Sequence, residues 1–95
     1  MKIYKYELEI KSKQNIKIGG AMPTILSAKE QDGKLMLWAA LEEDYPGEFD
    51  IDIEIIGTGN PYQPDPNNKF IDTVIMTSGC VWHVFSKINY KRGEI

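Results

Sequence analysis

Apolar and polar positions alternate along much of this chain. Tyr4, Tyr6, Leu8 and Ile10 interleave with Lys5, Glu7, Glu9 and Lys11, the spacing of a strand with one wet face, because successive side chains of an extended chain point to opposite sides. Ile16 and Ile18 continue the alternation until Gly19-Gly20 interrupts it. Beyond Met22-Pro23, the segments Thr24 to Glu30 and Lys34 to Leu41 flank Asp32-Gly33, and this pair predicts a hairpin because both residues tolerate the positive φ of a tight turn. After Pro46-Gly47, Phe49, Ile51, Ile53 and Ile55 face one way and Asp50, Asp52 and Glu54 the other, a strand that ends at Gly57.

From Gly57 to Asn68 the chain carries three prolines among Gly, Asn and Asp, and this composition predicts a long irregular loop. Phe70 to Met76 and Val81 to Phe85 are β-branched and aromatic runs joined by Thr77-Ser78-Gly79, a second hairpin. No segment shows helical period and no internal repeat is present. About seven short strands in one small all-β domain predict a compact antiparallel sandwich or partly open barrel. Residues 1–88 are read as that domain, and 89–95 as a short flexible tail.

With 95 residues, 10.8 kDa, 42% hydrophobic and 26% charged side chains, the chain has room for one modest core. Neither a signal-type apolar opening nor a run of roughly 18 apolar residues is present, so the reading is a cytoplasmic protein without a membrane partner. A net charge of -3 argues against a nucleic-acid partner. Charge is nevertheless uneven: residues 1 to 29 carry a net +4, residues 30 to 72 a net -9, and residues 73 to 95 a net +2. Neutralisation of acidic central strands by basic outer ones is the plain explanation. The sharper one is an acidic partner-binding face that includes Asp44, Asp50, Asp52 and Glu54. These carboxylates do not predict a metal site, since same-face strand residues two apart lie roughly 6.5 to 7 Å from each other, too far to converge on one ion.

Cys80 is the single cysteine, so no intrachain disulfide or cysteine zinc site is available, and its expected place is a small buried apolar position. In an extended strand Cys80 and His83 fall on opposite faces roughly 10 Å apart, which excludes a nucleophile and base pair there. His83 is expected as a half-buried, hydrogen-bonded side chain or as a ligand contact. Gly57-Thr58-Gly59-Asn60 could turn backbone donors toward a small anion, but Pro61 and Pro64 prevent the helix that a dinucleotide fingerprint requires. Trp38 and Trp82 are expected in the core.

Three segments together resemble a family of short, uncharacterised proteins found mostly in bacteriophage genomes, a domain of unknown function. They are Ile25-Leu26-Ser27 leading through Glu30-Gln31-Asp32-Gly33-Lys34-Leu35 to Leu37-Trp38-Ala39, then Ile56-Gly57-Thr58-Gly59-Asn60-Pro61, and Val81-Trp82-His83-Val84-Phe85. With Lys5-Tyr6-Glu7-Leu8 and Phe70-Ile71-Asp72-Thr73-Val74, the likeness covers nearly all of the chain up to Phe85. It departs at Asn60, where a histidine is more usual, and in the segment after Ser86. The resemblance implies a phage or prophage origin and a small β-domain, and transfers no substrate, cofactor or catalytic residue. Phage genomes carry many short accessory proteins that act by stoichiometric binding, inhibitors of host defence and sponges for nucleotide signals among them.

The resulting expectation is a non-enzymatic binder in the host cytoplasm, with no cofactor or metal. It sequesters a small anionic, nucleotide-like ligand in a pocket at a homo-oligomer interface, using Gly57, Thr58, Gly59, Asn60, Trp82 and His83, with Lys69, Lys87 or Arg92 supplying charge. The alternative is a protein-protein inhibitor that docks its acidic face or an edge strand on a host protein.

Overall fold

The computed structural model describes residues 1–90. Seven strands follow the alternation: β1 (Lys2–Leu8), β2 (Lys13–Gly19), β3 (Ala21–Gln31), β4 (Lys34–Glu42), β5 (Glu48–Gly57), β6 (Lys69–Ile75) and β7 (Val81–Tyr90). They form two antiparallel sheets, β1-β4-β3 and β2-β5-β7-β6, packed as a sandwich that does not close into a barrel. Ile10 is half exposed in the link between β1 and β2, outside the strand that its spacing suggested. Asn89 and Tyr90, assigned above to a tail, are the last residues of β7 and pair with Asp50 and Phe49. Arg92 lies outside the described residues.

Both predicted hairpins form. Asp32 and Gly33 have φ of 53° and 80°, positive at both central positions as a type I′ turn requires, and they set the pairing of Gln31 with Lys34. The β6–β7 connection is closed by Gly79 N–H donating to the Met76 carbonyl at 2.8 Å and Met76 N–H donating to the Cys80 carbonyl at 2.8 Å. That turn leaves Cys80 exposed, which corrects its expected burial: Met76 takes the core position at the end of β6 instead.

The core lies between the sheets. Leu35, Leu37 and Ala39 of β4 meet Ile51, Ile53 and Ile55 of β5 and Val84 of β7, all at most 5% exposed. Trp82 packs against this cluster. Trp38 does not: it alternates with Leu37 and Ala39 and pairs with Lys5 and Ser27, so it lies half-buried on the outer face of the three-stranded sheet. Trp82→Ala is accordingly expected to cost about 3 kcal/mol and Trp38→Ala about 1 kcal/mol. Denaturant melts of both variants check the order.

Sheet pairing across the surface neutralises the acidic middle of the chain. Lys17 Nζ lies 2.6 Å from Asp50, Lys2 Nζ 2.7 Å from Glu43, and the N-terminal amine 3.3 Å from Glu42. Where β3 runs beside β6, side chains join the two sheets. Asp72 accepts from the Ala28 N–H at 3.3 Å and pairs with Lys29 at 3.1 Å. Glu30 accepts from the Thr77 N–H at 2.7 Å and from the Thr77 hydroxyl.

The Thr77 hydroxyl, and then its N–H, hold the Glu30 carboxyl below the ordinary range. Bonds from Asn15 and then Asn89 do the same for Asp52. Folded-state values below the unfolded ones mean stabilisation that is present above the unfolded pKa and is lost as pH falls through the folded one. The melting temperature should therefore drop as pH is lowered through and below the usual carboxylate range, and Glu30→Gln should flatten that drop. A pH series of thermal melts reads both.

Candidate functional site

The residues singled out around Gly57 come together at one end of the four-stranded sheet. Gly57 to Asn60 form a tight turn at the end of β5, with Asn60 N–H donating to the Gly57 carbonyl at 3.1 Å. Gly59 has φ of 91° at the third position, as in a type II turn. Thr58 N–H donates to the Val81 carbonyl at 3.4 Å. Two of the donors that an anion nest would use are thus spent inside the protein, and the turn offers side chains and shape instead.

A depression of about 280 Å³ lies against this turn, lined by Gly57, Thr58, Gly59 and Asn60, by His83, and by Ile56, Tyr62, Phe70 and Phe85. His83 stands in β7 between Ile56 of β5 and Thr73 of β6. Its Nε2 is 2.8 Å from the Thr58 hydroxyl and its Nδ1 3.0 Å from the Thr73 hydroxyl. A neutral imidazole has one donor and one acceptor nitrogen, and a hydroxyl can serve either, so the two threonines fix the ring plane without fixing its tautomer. His83 is held as a half-buried polar edge between apolar neighbours.

Phe85 faces the same side two residues on. The long loop folds back over it: Tyr62 stacks on Phe85 with ring centroids 5.2 Å apart and planes at 20°, and Phe70 meets it edge-on at 5.6 Å and 68°. Such offset and edge-to-face pairs are the favoured aromatic geometries. Phe85 is thereby 8% exposed although it points outward, whereas Tyr62 and Phe70 remain 48% and 57% exposed. Asn68 anchors the end of the loop to Glu54 at 2.7 Å. The result is an aromatic floor with a hydroxyl and imidazole edge.

Trp82 is not part of this surface. It pairs with Gly57 from the core side, where a Cβ on Gly57 would come 3.2 Å from the indole ring. The indole therefore supports the turn from beneath and makes no wall of the depression. Phe70, Phe85 and Thr73 were not singled out as site residues in the sequence. Thr73 was recoverable from the hairpin, since the turn after Met76 places it opposite His83; the loop's return over Phe85 has no local signal.

Asp50, Asp52 and Glu54 do lie side by side on the outer face of β5, but each is engaged. Asp50 pairs with Lys17, Asp52 accepts from Asn15 at 2.8 Å and Asn89 at 2.6 Å, and Glu54 accepts from Asn68. Asp44 is exposed in the β4–β5 connection. Among the described residues no three His, Cys, Asp or Glu side chains converge on a point where a metal ion could sit, and no helix is long and apolar enough to cross a membrane. Lys69 and Lys87 line a different and wider groove between the sheets.

The protein is thus a small antiparallel two-sheet domain with an exposed aromatic depression at one end. The chain matches the family described as Domain of unknown function (DUF7352) over residues 1–93 and belongs to it. No curated protein and no solved structure matches the chain.

Proposed function

We propose that this chain is a non-enzymatic binding protein that sequesters a small anionic, nucleotide-like ligand. The planar ring of the ligand lies on Tyr62, Phe70 and Phe85. The observation that carries the reading is the exposure of two aromatic rings beside a histidine fixed by hydroxyls on both nitrogens. Stacking of a base on an aromatic side chain contributes about 1 to 3 kcal/mol, and Thr58 and Asn60 supply donors and acceptors for the ring edge.

The lining of the depression includes no cation, and one copy covers only one face of a planar ligand. A second copy of the chain, closing over the exposed Tyr62 and Phe70, supplies the other wall and the positive charge, so the binder acts as an oligomer. The resemblance to bacteriophage proteins gives the setting: a phage-type accessory protein in the host cytoplasm that antagonises defence by removing a nucleotide signal. An inhibitor acting through the acidic face has weaker support, because Asp50, Asp52 and Glu54 are already bonded within the sheet.

Calorimetry against cyclic and linear nucleotides tests the proposal. Heat at micromolar ligand is expected with at least one of them. Silence across the panel at concentrations far above micromolar would overturn it.

A further inference from the structure

Ser86 is the one buried polar residue among the described residues, at 4% exposure. It sits on the core side of β7, paired with Ile53 on one side and Lys69 on the other, and its strand neighbours on that side are Val84 and Ile88. A valine or isoleucine would satisfy the pattern. Its hydroxyl has no hydrogen-bond partner among the described residues, and no side-chain nitrogen or oxygen there is both enclosed and unpaired. The hydroxyl therefore opens onto the space that Ser86 lines, a groove of about 660 Å³ between the sheets.

The groove exists because two strands part. β6 begins at Lys69, opposite Ser86, so β7 from Lys87 onward is paired with β5 alone. On the far side β3 breaks register between Ala21 and Thr24, at Pro23, which has no N–H to give to a ladder. Thr24 and Ile25 form one wall, and Ile71 and Ile88 supply apolar surface. Lys69 lines it and makes no ion pair among the described residues, whereas the side chain of Lys87, next to Ser86 in β7, alternates to the outer face beside Asp52. No carboxylate lines the groove.

A hydroxyl at an otherwise apolar core position, open to a groove that Lys69 lines and no carboxylate enters, is placed to donate to an acceptor with negative charge. We propose that this groove is a second binding site, which takes an organic phosphate monoester. Its phosphate accepts from Ser86 Oγ and the Lys69 ammonium group, and its apolar body lies on Ile25, Ile71 and Ile88. Lysine binds phosphate as a point charge, and the neutral hydroxyl fixes where the phosphate sits. His83 and Tyr62 do not line this groove, and Phe70 alone borders both it and the aromatic depression.

The test is an amide chemical-shift titration of the full chain with phenyl phosphate, with inorganic phosphate and phenol as separate arms. Phenyl phosphate should move the resonances of Ile25, Lys69 and Ser86 together, inorganic phosphate should move the same set with affinity weaker by about tenfold or more, and phenol should move none of them. Ser86→Ala should weaken phenyl phosphate by about tenfold or more while leaving the melting temperature of the free protein unchanged or higher, because it removes an unpaired hydroxyl. Lys69→Gln should weaken it similarly, and Lys2→Gln, far from the groove, should not. Shifts spread over lysines throughout the surface, or Ser86→Ala binding phenyl phosphate as the parent does, would overturn the site. A lower melting temperature for Ser86→Ala would show that the hydroxyl is paired in the free protein, and would overturn it equally.

Discussion

Gly20→Ala is expected to cost about 4 kcal/mol, a large part of what a domain of this size has. Gly20 is buried where β2 passes to β3, with its N–H donating to the Gly47 carbonyl at 3.0 Å and φ of 112°. A Cβ there would lie 2.7 Å from the Glu42 carbonyl oxygen and 2.7 Å from Leu41 Cδ1. The first of these atoms is backbone held in the β3–β4 pairing, and the second belongs to a core side chain 2% exposed. Neither can retreat cheaply, so steric overlap adds to the strain of a positive φ. Gly33→Ala separates the two contributions. Gly33 also has positive φ, at 80°, but a Cβ there meets nothing within 4 Å, and its loss should be about 1 kcal/mol. Urea denaturation of both variants measures the difference; equal losses would mean that overlap at the β2–β3 junction does not matter.

Phe70→Ala should reduce affinity for the nucleotide-like ligand by about tenfold or more and leave the fold in place. Phe70 is 57% exposed and touches Phe85 only edge-on, so its removal opens no interior cavity. The expected stability change is within about 1 kcal/mol. Calorimetry paired with thermal melts distinguishes lost binding from lost folding. Retained affinity in the alanine variant would remove the ring from the ligand's surroundings and with it the stacking account of the depression.

Sequence alternation located the strands because β1, β2 and β5 each have one polar face, and a period of two survives in their residues. It could not assign faces where both sides are apolar. In β4, Ala39, Ala40 and Leu41 are all buried, which hides the parity that turns Trp38 outward. From Val81 to Phe85 in β7, His83 is the single polar mark among Val81, Trp82, Val84 and Phe85, and pairing with β5 and β6 decides that Trp82 faces the core and Phe85 the loop.

The candidate site was legible in part for the same reason. Turn chemistry marked Gly57 to Asn60, and His83 stood out by type, so both were found before their proximity was visible. Their meeting depends on β5 and β7 being sheet neighbours, and the aromatic floor depends on a loop that carries Tyr62 back over Phe85. Contacts at that separation leave no trace in local spacing. Ser86 was missed because a serine between Phe85 and Lys87 reads as ordinary until its burial is known.

Native mass spectrometry of the gently purified protein reports the number of copies and any retained ligand together. An oligomer that carries the added mass of a small molecule is expected, with that mass lost in Phe70→Ala. A bare monomer that gains no mass when the nucleotide panel is added would contradict the proposed sequestration.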